Sequence, residues 1–126
     1  MNRWNKVKEF ETTTVIHGIT VPVLIRIEAT DDDCSVDGSF DFGNEEENAA
    51  YMRRFETCEL WNALIRVTAM AEGESGTDYL GGCHVVSSRA DAEIMKTAND
   101  HGMAKNATAE LVKEIVEKAK RLQKYA

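Results

Sequence analysis

The stretch from Asp31 to Glu47 carries Asp31, Asp32, Asp33, Asp37, Asp41, Glu45, Glu46 and Glu47 and no basic residue. Carboxylates gathered in this way offer two chemistries. One is electrostatic: an acidic surface attracts a basic partner and raises its association rate. The other is metal ligation. Asp33, Ser35, Asp37, Gly38, Ser39, Phe40 and Asp41 stand at positions one, three, five, six, seven, eight and nine of a calcium-loop pattern. In that pattern hard oxygen ligands alternate around a turn that Gly permits. Two features count against calcium. Position twelve is Asn44 rather than a bidentate Glu, although Glu45 follows it, and the preceding segment reads as a strand instead of an entering helix. Partner binding through the eight carboxylates is therefore the first expectation. A calcium module on Asp33, Ser35, Asp37, Ser39 and Asp41 is the alternative, and no cofactor is expected. The plainest reading of the same residues is a solvated loop that aids solubility.

Cys83-His84 invites a third reading, a thiol nucleophile with a base. Adjacent residues of a strand point to opposite faces, which works against it. A structural Cys is the better account, with His17 at a turn and His101 explained by the dipole at a helix C-terminus, and the chain is read as a non-enzyme. Such an enzyme would need a depressed Cys83 pKa. Cys34, Cys58 and Cys83 are odd in number and contain no CxxC pair, so a zinc ribbon or thioredoxin-like motif has no support. Leu80-Gly81-Gly82-Cys83 lacks the spacing of phosphate loops and reads as a strand bulge. Trp61 continues an apolar face and belongs to the core. Trp4, flanked by Arg3, Lys6 and Lys8, is the freer candidate for an interface anchor.

The elements that must position these residues are legible from period. Ile19, Val21, Val23, Ile25 and Ile27 alternate with Thr20, Pro22, Leu24, Arg26 and Glu28, a strand with one apolar face. Phe10 to Ile16 precedes it across His17-Gly18, a two-residue hairpin turn, and pairing Ile16 with Ile19 aligns Phe10, Thr12 and Thr14 with that face. Pro22 lacks a donor, so the strand exposes an edge there. Asp31 to Gly43 is a loop. Asn44 caps a helix begun by Glu45, Glu46 and Glu47, with Tyr51, Met52, Phe55 and Cys58 as its buried stripe.

A second hairpin follows. Trp61, Ala63, Ile65, Val67, Ala69 and Ala71 form one face of its first strand, 72–76 a polar turn, and Thr77 to Val86 the return. Ser87 or Ser88 caps a helix over Ala90 to His101, with Ile94, Met95 and Ala98 inward and Gly102 at its left-handed end. A last helix starts at Asn106 or Thr108 and turns Leu111, Val112, Ile115, Val116, Ala119 and Leu122 inward. The expected fold is a single α+β domain over 1–126. It has an antiparallel sheet of about four strands with three helices on one face, in the order ββ-α-ββ-αα.

Charge narrows the function classes. The chain has 126 residues, 22 acidic and 15 basic, with a formal charge of −7. Residues 27–60 hold eleven acids and two bases, whereas 105–126 hold six bases and three acids. An acidic balance argues against direct nucleic-acid binding, which needs phosphate neutralisation. No apolar run reaches the ~20 residues of a membrane span, and the start lacks an apolar signal region, so a cytoplasmic location is expected. A homodimer through the exposed edge of the first hairpin is a further expectation.

The Thr-rich hairpin, the strand pair WNALIRVTAMAEGESGTDYLGGCHV and the helical tail together resemble small acidic α+β proteins of tailed phages and prophages. The matching residues are Glu72 to Glu74 and Tyr79-Leu80-Gly81-Gly82-Cys83. The resemblance assigns no catalytic residue. It implies a protein that binds and blocks host machinery, such as an anti-CRISPR inhibitor. The partner would be a host protein whose basic surface otherwise holds nucleic acid.

Overall fold

A computed structural model describes residues 3–33, 36 and 38–125. Four antiparallel strands run in sequence order as an open meander: β1 (Asn5–Ile16), β2 (Ile19–Asp31), β3 (Leu60–Ala71) and β4 (Glu74–Val86). Three helices complete the α+β fold in the order β-β-α-β-β-α-α: α1 (Glu45–Glu56), α2 (Ala90–Asp100) and α3 (Met103–Gln123).

The alternation that defines the strands also defines the core. Val23, Ile25, Ile27 and Ala29 of β2 meet Ala63, Ile65, Val67 and Ala69 of β3 on one face, continued by Cys83 and Val85 of β4. Ile94 and Ala98 of α2 and Met103, Ala107 and Leu111 of α3 roof that face. Small residues let α3 lie close. Ala69 pairs with Gly76, and a Cβ on Gly76 would overlap the backbone of Ala107 and Leu111. Gly76 is thus required by packing rather than by its dihedral angles.

Both hairpins close on two-residue turns. His17 and Gly18 have φ of 50° and 79°, Glu72 and Gly73 of 53° and 75°, the left-handed pair that matches strand twist. Ile16 pairs with Ile19, and Phe10, Thr12 and Thr14 pair with Ile25, Val23 and Val21. The pairing of β2 with β3 spans only Leu24 to Asp31, so Pro22 sits on an overhang where its missing donor breaks no ladder. β4 carries one extra residue between its pairings with Ala63 and Ile65, a bulge at Gly81-Gly82 with Gly82 at φ 66°.

Several local expectations are corrected. Asp31 ends a strand, and β4 begins at Glu74 because the turn needs only two residues. Ser87 and Ser88 lie in a 3-10 turn and cap nothing; the Glu93 carboxylate instead accepts the Val86 amide at 2.7 Å. Gly102, at φ 60°, ends α2 and also directly precedes α3, so α3 starts at Met103, one turn earlier than expected. Asn106 and Thr108 are therefore inside that helix, where the Thr108 hydroxyl donates to the Ala104 carbonyl. The far end of α3 outruns the sheet, leaving Ala119 and Leu122 exposed. The expected buried stripe of α1 is only half-buried at Tyr51, Met52 and Phe55, and Cys58 follows the helix in an exposed left-handed position. The helices also do not share one face: α2 and α3 cover the core, and α1 lies against the opposite side.

Candidate functional site

His84 marks that opposite side. It follows Cys83 on β4, pairs with Asn62 and points away from the core. Phe40, Tyr51 and Phe55 surround its ring at centroid distances of 6.2, 5.7 and 4.9 Å. Tyr51 and Phe55 stand four residues apart on α1, so both meet the sheet from one helix face. The Ser39 hydroxyl donates to the Val36 carbonyl at 2.6 Å. Its only hydrogen is then used, so it accepts from His84 Nε2 at 3.3 Å. Nδ1 is consequently the acceptor, and the Tyr51 hydroxyl donates to it at 3.0 Å. Burial holds His84 below the ordinary imidazole range. Burial also raises Tyr51, against the opposing charge of Arg54. This neutral chain of hydrogen bonds pins the loop and α1 to the sheet.

The acidic residues divide by what they touch. Asp31 Oδ1 accepts the Trp61 indole N–H at 2.5 Å. Asp32 Oδ2 accepts the Gly82 amide at 2.6 Å, and a Cβ on Gly81 would stand 2.7 Å from that oxygen. The bulge thus turns its backbone to a carboxylate that follows β2, two strands away at the same end of the sheet. Asp41 Oδ1 accepts the Gly43 amide at 2.7 Å and the Asn48 side chain at 3.3 Å. Those bonds hold its carboxyl below the usual range. Three of the eight candidates therefore shape the fold. Asp33, Glu45, Glu46 and Glu47 remain exposed. Asn44 caps α1 as expected, its Oδ1 accepting the amides of Glu46 and Glu47 at 2.8 and 3.2 Å.

Of the calcium candidates, Ser35 and Asp37 lie outside the described residues. Ser39 and Asp41 face His84 and the Asn48 amide respectively. Among the described residues no three His, Cys, Asp or Glu side chains converge on a metal position. Cys83 is buried, donates to the Leu80 carbonyl at 3.4 Å, and has its thiol pushed up by burial and then by Asp32. That is the opposite of the depressed pKa an activated thiol requires. Trp4 is not a free anchor: the Arg66 guanidinium lies 3.9 Å above its ring and pairs with Glu28 at 3.0 Å.

One surface feature escaped the sequence. Phe42 is 51% exposed and stands over a shallow depression of about 290 Å³ shared with Glu47, Ala50, Tyr51 and Arg54. It packs edge-on against Tyr51 at 5.2 Å. An apolar side chain is thereby held beside the exposed carboxylates of the helix start. A Phe within an acidic loop is the only signal that pointed to it. Among the described residues no helix is long and apolar enough to cross a membrane. Comparison with family models, curated proteins and solved structures returns no match, so a functional reading rests on this chain's own geometry.

Proposed function

We propose that this chain is a non-enzymatic protein-binding protein that engages a basic surface through the loop and start of α1. One observation carries the reading: α1 buries none of its residues, yet it is capped, pinned to His84 and used to hold Phe42 and Glu45–Glu47 outward. A segment that adds nothing to the core but is fixed in place has a surface as its product. Phe42 would enter an apolar recess of the partner, and Glu45, Glu46, Glu47 and Asp33 would meet lysines or arginines around it. The proposed context is the one implied by the resemblance to phage proteins: a host protein with a nucleic-acid surface, occupied by carboxylates in place of phosphates.

A displayed peptide library selected against the immobilised chain tests this. The expected peptides are rich in Lys and Arg around one apolar residue. They should be lost by the E45K/E46K/E47K triple variant and by Phe42→Ala, with circular dichroism unchanged. Recovery of neutral or acidic peptides, or of basic peptides that both variants still hold, overturns the reading.

A further inference from the structure

The two free edges of the sheet are protected differently. β4 is broken by its bulge, and the Asp32 carboxylate occupies the amide of Gly82. β1 has a bulge between Lys6 and Lys8 and carries those two lysines, the usual devices against edge pairing. Beyond Lys8 these devices stop. From Glu9 to Ile16 the strand is regular and contains no Lys, Pro or bulge.

The phase of the hairpin says which backbone groups are presented. A two-residue turn closes on a hydrogen-bonded pair, here Ile16 with Ile19. Phe10, Thr12 and Thr14 therefore bond to β2, and Glu9, Glu11, Thr13 and Val15 direct their amides and carbonyls outward. Beside this edge, on the core face, a groove of about 460 Å³ lies open between β1 and α3, lined by Phe10, Thr12, Thr14, Ala104, Thr108 and Val112.

We infer that β1 pairs antiparallel with β1 of a second copy about a two-fold axis within Thr12–Thr14, joining two four-stranded sheets into one. The outward groups of one strand must meet those of the other, so the axis passes through a residue. An axis at Phe10 would oppose Glu9 to Glu11, and one at Glu11 would oppose Glu11 to itself. Such like-charge pairs are unfavourable. An axis at Thr12 places Glu11 opposite Thr13, Glu9 opposite Val15 and Phe10 opposite Thr14, with no like charges facing. Axes at Thr13 and Thr14 are equally free of them. The axis stands normal to the sheet, so both helical layers fall on one side and each copy closes the open flank of the other's groove. The inference does not depend on the acidic surface.

Sedimentation equilibrium combined with amide hydrogen exchange tests it on the full chain. The expected mass is that of two copies, and the Thr13 amide, which faces a strand residue for all three axes, should slow as concentration rises. The Thr12→Lys/Thr14→Lys variant opposes lysines for all three axes and should halve the mass while keeping its circular dichroism. A chain that stays monomeric up to ~1 mM overturns the inference. So does a dimer whose Thr13 amide still exchanges quickly, a measurement that needs no variant.

Discussion

The body of the molecule and the segment from 38 to 56 are stabilised by different means. In the body, β2, β3, β4, α2 and α3 exclude water from Ile25, Ile65, Val85 and Leu111, and the ladders follow from that burial. The segment buries no helical residue. It is held by an Asn cap, an Asp41 turn, edge-to-face aromatic contacts and one neutral histidine. Hydrophobic burial is insensitive to small shifts of pH and surface charge, whereas a pinned polar network is not. The chain therefore combines a stable scaffold with a presented surface that can be altered separately.

Ile65→Ala should be the most damaging change, about 4 kcal/mol, because the site is fully buried between strands and helices and a cavity would remain. Chemical denaturation measures it. Gly76→Ala comes next, at about 2–3 kcal/mol, since its methyl group meets helix backbone that cannot step aside without moving α3. Both changes should lower the melting temperature of the whole chain. Asn44→Ala should cost about 1 kcal/mol and act on α1 alone, seen as faster exchange of the Glu46 and Glu47 amides with the β3 amides unchanged. A loss spread evenly over α1 and β3 would erase the distinction between the two regions.

Acid should separate them further. Burial disfavours the protonated His84, so the unfolded or detached segment takes up a proton before the pinned one. The stabilisation from this network is whole above the ordinary imidazole pKa and declines as pH falls through it. Protection of the α1 amides relative to their intrinsic exchange should fall in that window, and His84→Gln should abolish that pH dependence. An unchanged pH response in that variant would remove His84 from the role assigned to it.

Much of the body was legible because alternation and turn chemistry are local. His17-Gly18, the face of Ile19 to Ile27, the bulge at Gly81-Gly82 and the Asn44 cap each depend on a few neighbouring residues. The candidate site was legible only in part, because its contacts span long sequence separations. Ser39, Tyr51 and His84 meet across 45 and 33 residues, and nothing near His84 announces its partners. The same distance hid the structural use of Asp31 and Asp32, which look like their exposed neighbour Asp33 until Trp61 and Gly82 are placed beside them. The sequence does not say which side of the sheet α1 takes, because its half-apolar face fits either side. The sequence puts the start of α3 a turn too late because Gly102 serves two helices at once.

The smallest expected effect on stability is also the most informative about function. Reversing Glu45, Glu46 and Glu47 should leave the melting temperature of the body near its original value, since these side chains are exposed, and cost only α1 the favourable charge at its N-terminus. The decisive measurement is the affinity of a Lys/Arg-rich peptide selected by the chain, titrated from low to high salt against the wild type and the E45K/E46K/E47K variant. Affinity for the wild type should fall steeply with salt and be lost in the variant at every salt concentration. Equal affinity at low and high salt, or undiminished binding to the variant, would contradict the assignment of this surface.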